Sequence, residues 1–522
     1  MIRGISFGIL GILLLTCCGG TKHTTKSWVG YNSSIEVRST SPSLNGETRE
    51  SGLNINPKSY SNWGDCFKQN RSVATFKLAS GDYRSWGEIK PGSTHSKSAV
   101  RKILFESEEK SLVHPVDAEG KAIIKGFDFV TARNWTLEGL TIRGGTTNYI
   151  QQNSANIKLL RNLIEDVPNN NAIRIVSSDD TVIRDCVLRL NPDLTGSECI
   201  AITVSAYKNE VSRNTLIEKN EIYNYTDGVQ LYYKTSVSTS RPIPMSGSVP
   251  GTIIRDNDIY ITKDLYSVSN GSQYACAENG IDVKVGTDSD LEKDWVRISG
   301  NRLWGFRTTA KDCSDGSRGS AIVVHQNAKH IFIENNFIYD SSRGISVLGK
   351  VSGTRNNGTK EVLIFNNFIS TLYGGENDSG YGMVIRNEKV YVLYNTFNTI
   401  PRLISIYGSP IIKYNIFRNI DKSASTSQGI PLWFKHNSWV NIKKLKNLKL
   451  YNNCISDGVR RTSTKSLQMK VKRITGPSNI IIQNGQLKND VMLESNCNCD
   501  LSVLSSHWWY EEINNKLGQS NK

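Results

Sequence analysis

Ile254-Arg255-Asp256-Asn257-Asp258-Ile259 is an apolar residue, a polar corner, an Asn, and a second apolar residue two places on. The chain writes this phrase again and again. It stands as Leu159-Leu160-Arg161-Asn162-Leu163-Ile164, Ile217-Glu218-Lys219-Asn220-Glu221-Ile222 and Ile298-Ser299-Gly300-Asn301-Arg302-Leu303. Later copies are Ile333-Glu334-Asn335-Asn336-Phe337-Ile338, Ile364-Phe365-Asn366-Asn367-Phe368-Ile369, Val392-Leu393-Tyr394-Asn395-Thr396-Phe397 and Ile412-Lys413-Tyr414-Asn415-Ile416-Phe417. A self-similar phrase returning every roughly 20 to 45 residues marks a solenoid or an array. Each unit holds short, β-branched, alternating segments between Gly, Asn and Asp turns, which read as strands. The pattern predicts an all-β chain wound as a single right-handed parallel β-helix, each coil pairing with the next. The repeated Asn would then form one hydrogen-bonded ladder along the axis, with Asn220, Asn257, Asn301, Asn336 and Asn367 in a single turn column. An antiparallel β-sandwich fits less well, because sandwiches do not repeat one Asn at a fixed offset.

The chain has 522 residues and a formal net charge of +15. A repeat array can run that long as one domain. The charge favours acidic partners. The basic residues are dispersed, without a dense Arg run, so an acidic polysaccharide is expected rather than nucleic acid.

Arg3 precedes an apolar run from Ile5 to Leu15, followed by Thr16-Cys17-Cys18-Gly19-Gly20. The run is too short for a membrane span and has the form of a signal-peptide core. It resembles a bacterial lipoprotein signal, which implies acylation of Cys17 or Cys18. The expected place is the cell envelope, lipid-anchored at the outer membrane, or the secreted fraction. The expected organisation is a signal at 1–17, a Ser/Thr/Asn-rich tether at 18–53 and a cap at 54–74. The β-helix follows over 75–420, with irregular coils and a closing cap at 421–522, including a short helix over His507–Leu517. Such a solenoid is expected as a monomer. Export permits disulfides, and Cys276 and Cys313 flank two successive core strands, but no spacing reads as a zinc site.

A second part of the repeat can be stacked by hand. Its rows begin at Asn171, Glu198, Asp227, Asn279, Ser320, Arg343 and Tyr381, with the third and fifth columns apolar. Period-two alternation sends those columns inward and the fourth and sixth outward. Three consecutive rows then present Gln230 and Tyr232, Asp282 and Lys284, and Val323 and His325. Strands about 4.8 Å apart place Tyr232, Lys284 and His325 within reach of one sugar. Glu278 precedes its row, and Arg174 and Arg386 lie further along the same face. Long connections at 233–251, 263–276 and 308–318 flank these rows, as the walls of a cleft do. Taken singly, Lys284 is an ordinary solvated lysine paired with Asp282, and Tyr232 an aromatic cross-strand contact. Their convergence makes them candidates.

No metal site is identified. Asp312 and Asp315 carry oxygen ligands that would suit Ca²⁺, and Asp256-Asn257-Asp258 is first a turn of the ladder. Trp295 and Trp304 are either packing residues or sugar platforms.

Thr75-Phe76-Lys77-Leu78-Ala79-Ser80-Gly81-Asp82-Tyr83 resembles the opening coil of pectate-lyase-like β-helices. The array resembles the parallel β-helix enzymes acting on polysaccharides, the pectate lyases and the alginate lyase and chondroitinase B group. Glu198 to Val204, followed by Ile217 to Lys234, is similar to the part of that group carrying calcium-binding acids and a basic lysine. The resemblance puts Gln230 at an acid position and the lysine at Lys234 or Lys284.

The expected function is a polysaccharide lyase cleaving a uronate-containing polymer by β-elimination. Lys284 or His325 would be the base, the other or an Arg the partner of the carboxylate, and Tyr232 the proton donor, with Asp282 alongside. Arg174, Gln230, Glu278 and Arg386 would bind substrate. The alternatives are a C5-epimerase using the same residues, a glycoside hydrolase using Asp282 with Asp227 or Glu278, and a non-catalytic glycan-binding surface protein.

Overall fold

The computed structural model describes residues 52–91, 101–105, 122–167, 171–191, 199–237, 243–262, 277–307, 319–348, 359–370, 372–373, 380–387, 389–398, 400–406, 410–413 and 415–418, with short strands at 432–433, 449–455, 478–483 and 486–488. These residues form a right-handed parallel β-helix with three sheet faces. One coil shows the plan. Ile253–Arg255 lies on the first face, Asp258–Tyr260 on the second and Asn279–Val285 on the third. Each strand pairs in parallel with its counterparts in the coils before and after it. The third face is an ordered stack of eleven described strands, from Asp128–Val130 to Leu432–Trp433.

The corner between the first and second faces explains the repeated phrase. Asn220 Oδ1 accepts from the backbone N–H of Cys186, and the backbone N–H of Asn220 donates to Asn257 Oδ1 at 2.9 Å. The same bond runs from Asn257 to Asn301, then to Asn336, Asn367, Asn395 and Asn415. Each side-chain amide from Asn220 to Asn395 also donates to the next ladder Asn. All are buried, so the ladder satisfies groups that would otherwise be costly there. Described residues that precede a ladder Asn have positive φ, 54° at Lys219, 55° at Asp256 and 57° at Asn335. Gly300 takes that place at φ 67°, where a Cβ would come within 2.3 Å of Asp256 Oδ1. Cys186 fills a ladder slot between Asn162 and Asn220, accepting from the Asn162 backbone N–H at 3.5 Å. Sequence reading passes over this coil because it lacks the Asn.

The interior is filled by aligned apolar columns. Ile217, Ile254, Ile298 and Ile333 stack in register on the first face, and Ile222, Ile259, Leu303 and Ile338 on the second. All are buried. Each contributes about 1.5–3 kcal/mol by leaving water.

The N-terminal opening is covered by the helix Trp63–Gln69, whose N-cap Asn62 accepts from the Asp65 N–H at 2.8 Å. Trp63 and Phe67 pack against Phe76, Tyr83, Trp86 and Trp135. Parallel pairing begins with Leu53–Ile55 against Phe76–Leu78. Beyond residue 420, Lys449–Ile455 adds to the first and second faces, and an antiparallel pair, Ser478–Gln483 with Gln486–Lys488, follows it. Cys66 and Cys186 are free, buried thiols, and Cys199 is buried. Residues 1–51, including Cys17 and Cys18, as well as Cys276, Cys313, Asp312, Asp315 and the segment His507–Leu517, lie outside the described residues.

Candidate functional site

The third face carries the candidate residues. Asp227 pairs with Asn279 and Asn279 with Ser320, while Gln230, Asp282 and Val323 form the next outward column. This is the register read from the sequence for those rows. One row differs. Ile200, not Glu198, pairs with Asp227, and Thr203 pairs with Gln230. The row beginning at Glu198 is therefore displaced by two residues, which keeps Ile202 inward and Thr203 outward but puts Ile200 at the leading edge in place of Glu198 and Ala201, expected outward, in the core. Glu198 itself lies outside the described residues. The signal was available. The second column holds Ala172, Gly228, Gly280, Ala321, Gly344 and Gly382, and Ala201 is the residue that continues it. A Cβ on Gly280 would come within 2.7 Å of the Leu303 side chain, so the column faces a crowded corner and must be small.

A second departure lies between Val283 and Val285. Val283 pairs with Val324, but Val285 pairs with Asn327, so the strand Ser320–Asn327 carries one extra residue. Gln326 absorbs it at φ 56°. Such a bulge re-aims side chains. Here it accompanies the turn of His325 back onto Asp282.

Asp282 is the centre of the site. Its Oδ1 lies 2.8 Å from His325 Nε2, and its Oδ2 lies 2.8 Å from Lys284 Nζ. Gln230 Nε2 donates to Asp282 Oδ2 at 3.2 Å and to Asp227 Oδ2 at 3.0 Å. Asp227 Oδ1 accepts from the Asn279 N–H at 3.0 Å. Lys284 Nζ sits 5.9 Å from the centre of the Tyr232 ring. Four of the sequence candidates, Tyr232, Lys284, His325 and Asp282, are thus brought together, and Gln230 joins them.

The expectation of an open groove is corrected. Asp227, Gln230, Asp282 and His325 are buried, and Lys284 and Tyr232 are half-buried. The network is tolerable there because its charges are paired and hydrogen-bonded. Burial pushes the Asp282 carboxyl up, but Lys284 and His325 outweigh it and hold it below the usual carboxylate range. Burial pushes the Lys284 ammonium down, but Asp282 and then Asp227 more than offset this and hold it above the ordinary lysine value. Asp227 goes the other way. Burial raises it well above the carboxylate range, and the Asp282 and Glu278 charges add to that.

An ionised Asp282 accepts the Nε2–H of His325, which leaves Nδ1 as the basic nitrogen of the neutral ring. Nδ1 makes no hydrogen bond among the described residues. Glu278 is half-buried at the edge of this cluster. Arg174 is half-buried two coils before Gln230, on the far side of Thr203. Arg386 is exposed, but the coil Arg343–Val347 stands between it and His325. Lys234 is exposed beside Tyr232 and Tyr233.

Trp295 is buried and Trp304 half-buried. Trp295 stacks on His330 at 4.8 Å, and Trp304 is held between Tyr260 and Tyr339. Asp258 pairs with Arg302 and Asn257 belongs to the ladder, so this turn is structural. Among the described residues, no three His, Cys, Asp or Glu side chains are placed to hold a metal ion.

No protein-family model matches the sequence, and no curated protein matches it. Among solved structures, the chain is similar to a surface adhesin of Streptococcus pneumoniae, at 11% identity over 85% of this chain and 99% of that one, with a TM-score of 0.47. It is also similar to a mannuronic acid specific polysaccharide family 6 lyase from human gut microbiota, at 15% identity over 72% and 89%, with a TM-score of 0.44. A third is the family 6 polysaccharide lyase of Pseudopedobacter saltans, at 13% identity over 81% and 97%, with a TM-score of 0.38.

Proposed function

We propose that this chain is an exported polysaccharide lyase that cleaves a uronate-containing polymer by β-elimination. The observation that carries this reading is the triad of His325, Asp282 and Lys284, with Tyr232 beside it. Asp282 fixes the tautomer and orientation of His325 and keeps Lys284 a cation. Lys284 therefore suits the substrate carboxylate, where it withdraws charge and acidifies the C5 proton. His325 Nδ1 suits removal of that proton. The electron pair forms the C4–C5 double bond as the C4–O bond breaks, and the Tyr232 hydroxyl protonates the departing oxygen. His325 and Tyr232 then exchange protons with solvent to reset the site. Assigning Lys284 as the base fits poorly, since its carboxylate partners stabilise the ammonium.

The hydrolase reading is weakened by the same geometry. Asp227 and Asp282 are both buried, and each oxygen of both already accepts a hydrogen bond or ion pair. Neither is presented to a glycosidic bond. The charge of the chain and its N-terminal segment fit an enzyme held at the cell envelope through Cys17 or Cys18, acting on an acidic glycan.

The test is a panel of acidic polysaccharides, followed by the ultraviolet absorbance of the unsaturated uronate product. Wild-type protein is expected to generate absorbance on at least one polymer, and His325→Ala to lose at least about 10²-fold in rate, with circular dichroism unchanged. Full activity in His325→Ala sinks this mechanism. C5 inversion without absorbance would instead identify an epimerase.

A further inference from the structure

Asp282 presents one oxygen to His325 and the other to Lys284. The last torsion of an aspartate is broad, so this division holds only if something fixes the carboxylate. Lys284 is long and only half-buried, which makes it a poor clamp. Gln230 is better placed. It stands directly opposite Asp282 on the neighbouring strand and is 3% exposed. Its Nε2 donates to Asp282 Oδ2 at 3.2 Å and to Asp227 Oδ2 at 3.0 Å, which engages both of its N–H groups. Turned over, the amide would set its oxygen against the ionised Asp282, which offers only acceptors. Asp227 is tied in turn, through Oδ1, to the backbone N–H of Asn279 at 3.0 Å. One chain of hydrogen bonds therefore runs from the Asn279 backbone through Asp227, Gln230 and Asp282 to His325 Nε2. It ties together three neighbouring coils.

We infer that Gln230 is a positioning residue: it clamps Asp282 against His325 and so holds His325 in the tautomer whose Nδ1 is bare. The effect on turnover rests on the lyase reading of the same residues, whereas the tautomer does not depend on any substrate. Sequence reading placed Gln230 among the substrate-binding residues. In the structure both of its N–H groups are committed to carboxyls of the protein, so it has no donor left for a sugar. Without the amide, Asp282 Oδ2 keeps Lys284 alone, and Asp227 Oδ2 loses its donor. The carboxylate can then turn with the ammonium, and a neutral imidazole can carry its proton on either nitrogen. Gln230 thus acts on His325 through Asp282, as the outer partner of a ligand fixes its orientation elsewhere.

The experiment compares wild type with Gln230→Met, which keeps the length of the side chain and removes both donors. Imidazole nitrogen NMR shifts, on protein with isotope-labelled histidine and at a pH where the ring is neutral, report the tautomer with no substrate present. The His325 signals are those lost in His325→Ala. Wild type is expected to carry the His325 proton on Nε2, and Gln230→Met to show shifts averaged between the two tautomers. On the polymer that gives product, Gln230→Met should lower kcat by at least about tenfold while KM changes by less than about threefold. Should Gln230→Met not fold, Gln230→Asn replaces it, since an amide one methylene shorter cannot hold both bonds. A variant tautomer identical to that of wild type overturns the inference and leaves the lyase reading standing. A raised KM with kcat unchanged also overturns it and puts Gln230 on the substrate. A wild-type proton on Nδ1 overturns the clamp and the assignment of the base together. Absence of unsaturated product on every polymer overturns the lyase reading instead, and the nitrogen shifts still decide the clamp.

Discussion

Asp227 and Asp282 are two carboxyls joined through one Gln230 amide, and their surroundings push them in opposite directions. The difference is chemical. Asp282 has two cationic partners, whereas Asp227 has a backbone N–H, an amide and two neighbouring carboxylates. A buried carboxyl with a raised folded pKa contributes fully to stability below its unfolded value of ~4. That contribution is lost as pH rises from there through the folded value. Asp227→Asn should therefore gain stability relative to wild type between pH ~4 and neutrality, as read by urea denaturation at both ends. A difference that does not change with pH would show that Asp227 stays ionised. Asp282 has the opposite sign, since its contribution is present above its unfolded value and is lost on acidification. Lys284→Ala should lower turnover by at least about 10²-fold without unfolding the chain, because the side chain points away from the core. Retention of turnover would remove Lys284 from carboxylate binding.

At the scale of the element, the Asn corner is the unit that makes one coil add to the next. Asn301 accepts from both the backbone and the side chain of Asn257 and donates to Ile254 O and Asn336 Oδ1. Asn301→Ala strands several buried polar groups at once. At about 1–3 kcal/mol for each unsatisfied group, a total loss of roughly 2–5 kcal/mol is expected in chemical denaturation. Cys186 marks the opposite case. Its thiol is fully buried and pushed up to about 12 by that burial, so it is a weak, neutral partner. Cys186→Asn should complete the ladder between Asn162 and Asn220 and stabilise the protein by about 1 kcal/mol. A destabilisation as large as that of Asn301→Ala would mean that the slot is shaped for sulfur.

Across the whole molecule, each coil touches its neighbours and little else, so stability is close to a sum of local terms. The aromatic cap formed by Trp63 and Phe67 should accordingly protect the coils nearest it. Trp63→Ala is expected to speed amide exchange in residues 75–143 by at least tenfold, while exchange in residues 281–347 stays within a factor of about two, as repeat arrays distribute their stability locally. Uniform loosening along the chain would show that the solenoid unfolds as one block.

The period of the β-helix, its Asn ladder and the inward columns of three successive rows could be read from the sequence. The reason is that a coil repeats its own environment. A residue such as Ile254 meets Ile217 and Ile298, so the requirement at one position is written again in the next coil. The grouping of Tyr232, Lys284 and His325 followed from the same periodicity. Tertiary structure decided what broke the period. It shifted the Ile200–Ser205 strand by two residues against the naive row and inserted an extra residue at Gln326. It also put Cys186 in an Asn slot. Above all, it decided burial on the outer face. Alternation states that Asp282 and Val323 point away from the core, but it cannot state whether chain from elsewhere folds back over them. Those side chains are buried where an open groove was expected, and the outward Lys284 and His325 are the two partners of one buried carboxylate.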